Sequence, residues 1–497
     1  MPSFFILKFV QLLVALPKMN HDIFKIIPSV NVLLELPEII SLIEEFSRKT
    51  VLEFIRKKLD EIRKIEPSHK IDDLFITNGD KYSFSIQGFI SYIAESLKKS
   101  IPKTHEHAIN ATGVILHTCL GRAPLSKNAA ESTGKISGGY TTLEIDKESG
   151  KRMSRYRHIQ SLITTLTGAT DSLLVNNNAA AVLLVLDTLA SGKEVIISRS
   201  QQVEIGGSFR MPDVMKKSRS LLVEVGTTNR TNIADYRDAI SENTGLILIV
   251  HPSNYRIIGF TSFPDIKEIA ALGGEYNIPT FYDLGSGAMV DLRKLNIPHE
   301  PTVQESVDAG IDVVSYSTDK LLGGPQGGLI IGKKQYIDLL KKNPLLRALR
   351  VDKMTIEALD ATLRLYINDE KALNAIPILK MMYTSMEEIE RRIIRFKDKI
   401  VESTGSFFNL NIVDGFSEIG GGSCPAAPIS TRLLLLSSKE ISANGISKAL
   451  RLNTPPIFGR IEKETTHLDF RTIIYDHEED EIANALINIS KKGKQTP

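Results

Sequence analysis

Two stretches of the chain end an apolar, strand-like run in a charged side chain followed by glycines. Ile278 to Phe281 leads into Tyr282-Asp283-Leu284-Gly285-Ser286-Gly287, and Val313-Val314-Ser315-Tyr316-Ser317 leads into Thr318-Asp319-Lys320-Leu321-Leu322-Gly323-Gly324. In an open α/β sheet the carboxyl ends of the strands face the ligand crevice, so an acid and a lysine delivered there can act on one bound molecule. An amine that condenses with an aldehyde and a carboxylate that keeps a ring nitrogen protonated are the two groups pyridoxal phosphate requires. Lys320 and Asp283 fit those roles. Strand-end acids and lysines occur in any α/β protein, so the pair alone is compatible with coincidence. A third run, Val175-Asn176-Asn177-Asn178-Ala179-Ala180-Ala181, reads as a strand exit opening a helix. Its small residues and free amides at Asn178 and Ala179 suit a phosphate group. The same run is equally well an Asn-rich helix cap.

The elements that must position these residues are legible as texture. From about Asn110 to Arg350, β-rich runs (Glu194 to Ser198, Leu246 to Val250, Thr280 to Asp283, Asp312 to Ser315) alternate with helical stretches, the pattern of an α/β domain with a mostly parallel sheet. Before it, Pro37 to Ile65 is amphipathic, with Val51, Phe54, Ile55, Leu59 and Ile62 on one side, and Thr50 with Glu53 predicts a fresh helix start and a bend near Thr50. A polar stretch around Asn78-Gly79-Asp80 interrupts the pattern before a second helical segment from Ser85 to Lys99. After the α/β texture a long helical stretch from Met354 to about Glu402 leads to strands and a helix near Lys439 to Leu450. The expected division is a helical N-terminal domain and linker at 20–100, a catalytic domain at 101–365 and a small α+β domain at 366–497.

A chain of 497 residues can bury two or three cores without staples. Its 42% hydrophobic and 24% charged residues are those of an ordinary globular protein, and a net charge of +2 neither advertises nor excludes a nucleic-acid partner. Cys119 and Cys424 lie far apart without metal-ligand spacing, which favours free thiols in a reducing compartment. Met1 to Leu16 are mostly apolar but have only Lys8 as a basic residue and no small-x-small cleavage site, and Pro17 comes too early for a spanning helix. A cytoplasmic enzyme is expected, with Met19 as the alternative start.

The motifs together resemble the bacterial selenocysteine synthases, the L-seryl-tRNA(Sec) selenium transferases. The likeness includes Asn110-Ala111-Thr112-Gly113-Val114-Ile115-Leu116-His117-Thr118, Gly150-Lys151-Arg152 with Ser154-Arg155-Tyr156, the Asn-Asn-Asn-Ala-Ala-Ala run, and Val203 to Arg210. It continues through Val225-Gly226-Thr227-Thr228-Asn229-Arg230-Thr231, the Asp283 and Lys320 motifs, and Arg347-Ala348-Leu349-Arg350-Val351-Asp352-Lys353-Met354. It extends from about Ile27 nearly to the C-terminus.

What the resemblance implies is an aspartate-aminotransferase-like fold (fold type I) and conversion of seryl-tRNA(Sec) to selenocysteyl-tRNA(Sec), with selenophosphate as donor and an aminoacrylate held on pyridoxal phosphate. Lys320 would carry the cofactor and remove the serine α-proton, Asp319 beside it would orient it or assist proton transfer, and Asp283, Asn178, Ala179 and Ser317 would hold the cofactor. Arg122, Arg347 and Arg350 match the family's donor-binding arginines, although Arg347 and Arg350, one helical turn apart, also read as a solvated face. The N-terminal helices would recognise the tRNA body; by charge alone Arg48, Lys49, Arg56, Lys57, Lys58, Arg63 and Lys64, interleaved with acids, are an ordinary surface. A homodecamer, a ring of dimers, is implied as well.

The chain departs from the family at Cys119, where an Asn is usual, and at Tyr316-Ser317-Thr318 before the lysine. Cys119 reads either as a small buried residue or as an oxidation-sensitive thiol near the donor pocket. His117, in an apolar run, is expected to be a hydrogen-bonded structural residue. Arg471 sits where related folds bind a substrate carboxylate, a role that an esterified substrate removes. The rivals are a pyridoxal-phosphate β-eliminating lyase acting on a small amino acid or amino sugar, and a non-catalytic RNA-binding scaffold.

Overall fold

The computed structural model describes residues 26–64, 74–78, 81–101, 104–207, 209–425 and 427–493, so the expectations for Met1 to Leu16 and Met19 lie outside the described residues. The chain gathers into two compact units that divide between Glu106 and His107.

In the first unit, helices Pro37–Phe46, Arg48–Lys64 and Ile86–Ser100 bury Ile39, Val51, Ile55, Leu59, Phe89, Ile93 and Leu97 against one another. The expected bend falls at Ser47 rather than Thr50. Ser47 adopts φ +74, and its hydroxyl accepts from the Thr50 backbone N–H, so serine rather than threonine caps the second helix. Two antiparallel strands, Phe75–Asn78 and Lys81–Phe84, pair in register from Phe75 with Phe84 to Asn78 with Lys81. Ser85 caps the following helix through the Gly88 N–H, as its position predicts. Lys58, read as a surface residue, is instead 8% exposed with its amine 4.0 Å from the centre of the Tyr92 ring.

In the second unit seven strands form the central sheet: β1 Asp171–Val175, β2 Glu194–Ser198, β3 Leu221–Val225, β4 Thr244–Val250, β5 Thr280–Gly285, β6 Val313–Ser317 and β7 Gly328–Gly332. Their order is β1-β7-β6-β5-β4-β2-β3, and all run parallel except β7, which is antiparallel to both neighbours. Strands β1, β5, β6 and β7 are buried along their whole length, as strands covered on both faces are.

A smaller sheet orders Arg460–Glu462, Thr465–Asp469, Ile429–Ser437, Asn409–Gly420 and Val114–Leu116. The last two pair in parallel, Glu418 with Val114 and Gly420 with Leu116, and Ile109–Asn110 pairs with Ile457–Phe458. The segment around 109–116, assigned from sequence to the catalytic domain, thus pairs with C-terminal strands, and Ile109 and Ala111 share a core with Ile393, Leu434, Leu468 and Leu486. The stretch expected to be one long helix is broken into Lys353–Leu365, Asp369–Ala375, Pro377–Tyr383 and Met386–Thr404. Asn368 and Ser385 cap new starts, and Pro377 opens another where its missing N–H costs nothing.

Candidate active site

Strands β5 and β6 set Asp283 beside Ser315 in register, and Lys320 follows on the turn leaving β6. That turn is closed by Gly323 N–H to the Lys320 carbonyl (2.9 Å) and Gly324 N–H to the Thr318 carbonyl (2.8 Å), and Leu321 N–H reaches the Ser286 carbonyl (3.1 Å). The β5 exit must pass close by: a Cβ on Gly287, at φ +70, would sit 2.6 Å from the Ser317 carbonyl oxygen, so only glycine fits there.

Asp283 is 3% and Lys320 5% exposed. Burial pushes the Asp283 carboxyl up; a hydrogen bond from Asn178 and the charges of Lys320 and His251 oppose it. Burial likewise pushes the Lys320 amine down, against the pull of Asp283. The Asn178 amide donates to Asp283 Oδ1 at 2.7 Å. A hydrogen bond to a charged group contributes about 1.5–3 kcal/mol, whereas burying an ion costs several, so Asp283 needs more than this one donor to stay ionised.

Asn178 therefore serves the acid with its side chain, where the sequence suggested only a helix start. Helix Asn178–Leu189 begins there, with Asn177 Oδ1 accepting from Ala180 N–H at 2.9 Å. The amides of Asn178 and Ala179, in the first turn, have no acceptor within the helix and point out of its end. Ser317, 7% exposed, ends β6 next to the lysine turn. Over the lysine lies a turn that sequence reasoning missed: Gly420, Gly421 and Gly422 all have positive φ, and a Cβ on Gly422 would come 3.9 Å from Lys320 Nζ. The bare backbone there leaves space at the amine. A strand-end lysine amine under a glycine turn, a carboxylate at a neighbouring strand end and a helix N-terminus beside it are the parts that fit pyridoxal phosphate.

Asp319 turns to Arg122, whose Nη1 lies 2.9 Å from Oδ2, and the Asp319 carbonyl accepts from Ala123 N–H at 3.3 Å. Arg347 and Arg350 share a different lining. They line a pocket of about 490 Å³ with Arg152, Arg155, Lys341 and Glu144. They do not form one helical face: Arg347 ends the turn Pro344–Arg347, while Arg350 bridges Val175 in extended conformation. Glu144 sits amid these cations, 2.5 Å from Arg155, 3.0 Å from Arg152 and 4.0 Å from Arg350, and the Arg155 hydrogen bond helps hold its carboxyl below the usual range.

The sequence profile described as L-seryl-tRNA selenium transferase matches residues 108–474, and the profile of the selenocysteine synthase N terminal matches 24–63. The chain belongs to the L-seryl-tRNA selenium transferase family. An L-seryl-tRNA(Sec) selenium transferase of Alkaliphilus oremlandii is 46% identical over 459 residues, covering 91% of this chain and 95% of that one. Proteins of the same name from Clostridium botulinum (strain Okra / Type B1) and Carboxydothermus hydrogenoformans are each 44% identical, covering 90% of this chain and 94% of theirs. Among solved structures, D-glucosaminate-6-phosphate ammonia-lyase superposes with a TM-score of 0.53 at 16% identity, covering 80% of this chain and 99% of that one. The chain shares that lyase's fold, with its mostly parallel central sheet, and this transferase-family chain is an enzyme.

Other residues of this transferase-family chain differ from their sequence readings. Cys119 is exposed, not a small buried residue, because it lies on the short turn Thr118–Leu120; Cys424 is the buried thiol. His117 Nδ1 is buried without a hydrogen-bond partner among the described residues, contrary to the bonded role expected. Arg471 is 2% exposed, and its guanidinium donates to Ser417 Oγ and to the carbonyls of Met381, Thr384 and Ser430, which leaves it structural. His251 and Glu300, whose Nε2 and Oε1 lie 3.2 Å apart, were also missed. His251 directly follows β4, so the strand-end rule that found Asp283 applies to it; Glu300 lies in a loop without such a signal.

Proposed function

We propose that this enzyme converts seryl-tRNA(Sec) to selenocysteyl-tRNA(Sec) with selenophosphate as donor, using pyridoxal phosphate bound at Lys320. The observation that carries this reading is the buried Lys320–Asp283 pair at adjoining strand ends of a chain in this family. Bound there, the cofactor supplies an electron sink that lets the serine α-proton and β-hydroxyl leave before selenium adds.

The chain's own groups serve that chemistry in distinct ways. The Lys320 amine, whose hold on its proton burial weakens, takes the proton at the serine α-carbon. Asp283 holds the proton on the ring nitrogen, and the amides of Asn178 and Ala179, with Ser317, hold the phosphate. Asp319 positions the lysine turn through its ion pair with Arg122. Arg122, Arg347 and Arg350 supply planar, fixed positive charge for selenophosphate. In this reading residues 20–100 form a tRNA-binding helical domain, 101–365 the catalytic domain and 366–497 the small domain, and the protein works in the cytoplasm as a homo-oligomer, a ring of dimers reaching a decamer. No helix among the described residues is long and apolar enough to cross a membrane.

Purified protein loaded with pyridoxal phosphate should form selenocysteyl-tRNA from seryl-tRNA(Sec) and selenophosphate. Absence of that product, with turnover of a free amino acid or amino sugar instead, would make the enzyme a β-eliminating lyase.

A further inference from the structure

The pocket lined by Arg347 and Arg350 also holds a carboxylate and a phenol with no part in the steps above, those of Glu144 and Tyr156. Ile145 and Arg152 bridge in antiparallel fashion, and Met153 N–H donates to the Glu144 carbonyl at 3.0 Å, so the chain doubles back and brings Glu144 against Arg152 and Arg155. Arg155 is fully committed to this arrangement. Its Nε and Nη2 donate to Glu144 Oε1 at 3.0 and 2.5 Å, and its Nη1 donates to the Val351 carbonyl at 2.6 Å. Glu144 Oε2 accepts one bond, at 3.0 Å from Arg152, whose side chain is 79% exposed. Arg350 Nη1 stands 4.0 Å from Oε1, beyond hydrogen-bond reach. Tyr156 is 8% exposed, and its hydroxyl is buried with no hydrogen-bond partner among the described residues.

An ionised carboxylate only accepts hydrogen bonds, about two at each oxygen. Oε1 is filled by Arg155, whereas Oε2 has room for one more, and its bond to the solvated Arg152 is a weak tie. The Arg155 hydrogen bond helps keep Glu144 ionised, and burial pushes the Tyr156 hydroxyl up, so the phenol keeps its proton and can donate. An anion drawn in by Arg347 and Arg350 thus meets one open acceptor and one unused donor. A protonated oxygen of that anion suits the acceptor and an ionised oxygen suits the donor, whereas an ionised oxygen against Glu144 sets two like charges together. We propose that this pocket selects a tetrahedral oxyanion that still carries a proton, which donates to Glu144 while the Tyr156 hydroxyl donates to an ionised oxygen. Glu144 is then a specificity-determining residue: it accepts a phosphate-class donor, which keeps a proton near neutral pH, and turns away a fully ionised anion such as sulfate. The inference rests on the reading that Arg347 and Arg350 receive the donor.

The test is equilibrium dialysis of labelled inorganic phosphate and labelled sulfate against the full-length protein loaded with pyridoxal phosphate, so that the cofactor's own phosphate occupies the helix end at Asn178. At about pH 8 both anions are mainly dianions of one shape, and only phosphate keeps a proton. Wild type should prefer phosphate by about tenfold or more. Glu144→Gln should bind sulfate about tenfold more tightly, because the amide offers a donor where the carboxylate repelled, and phosphate by about threefold at most. Tyr156→Phe should weaken both anions about tenfold and keep the preference, as for the loss of one hydrogen bond to a charged group. Equal gains for the two anions in Glu144→Gln reduce Glu144 to a repelling charge and overturn the proposal. A wild type that binds both alike overturns it as well, and that comparison needs no variant to fold. Unchanged affinities in Tyr156→Phe overturn it by removing the donor. Arg350→Ala should weaken phosphate about tenfold. Wild-type binding of both anions in that variant would put them outside this pocket and overturn the donor-site reading itself.

Discussion

The lysine end and the arginine pocket place charge in opposite ways. At the lysine end the acid and the amine are almost fully buried, and each is pushed by desolvation toward its neutral form. In the arginine pocket the charges are partly wet, with Arg350 at 34% and Arg152 at 79% side-chain exposure, and Glu144 already stands among them. Burial tunes reactivity at the first; at the second, on the proposal that the donor binds there, an incoming anion would have to displace water and compete with one carboxylate.

The largest break in that contrast comes from Lys320→Ala, which should cost about a thousandfold or more in turnover and abolish the visible absorbance of bound cofactor while the fold, followed by circular dichroism, persists. Next, because burial lowers the Lys320 pKa, its amine becomes neutral at lower pH than an ordinary lysine. Cofactor loading should therefore climb about tenfold per pH unit at acid pH and level off below the usual lysine range. Stopped-flow absorbance measures this, and a plateau reached only at ordinary lysine pH would contradict it. In the arginine pocket, Arg350→Ala should raise the KM for selenophosphate about tenfold, the loss of one charge-assisted contact, with the cofactor spectrum unchanged. The smallest effect belongs to Glu144→Gln, which removes the competing carboxylate and should lower that KM by about twofold to threefold at low salt, with the gain fading as salt rises. A spectrum altered by either pocket variant would join the two regions into one site.

The strand-end logic that made Asp283 and Lys320 visible depends only on local pattern, and β2, β4, β5 and β6 appear close to where alternation and apolar runs placed them. Long-range partners were not legible. Nothing near Asn178 in the chain says that its amide turns to Asp283, and nothing near Asp319 names Arg122. The Gly420–Gly422 turn was missed because its meaning lies in what it approaches. Its positive φ values are a backbone property, while the space it leaves belongs to Lys320. The break at Ser47 was misplaced by three residues because two hydroxyl side chains compete for one cap, and only the backbone angle decides between them.

The parallel pairing of Val114–Leu116 with the end of Asn409–Gly420 has a consequence for the order of assembly. One strand runs on toward Arg122 and the other into the glycine turn over Lys320, and the whole central sheet separates them along the chain. During synthesis, Asp283 and Lys320 emerge well before residue 409, when the early strand has no partner. A nascent chain would thus hold Lys320 without its roof, and the pocket would be completed only as the last fifth of the chain arrives.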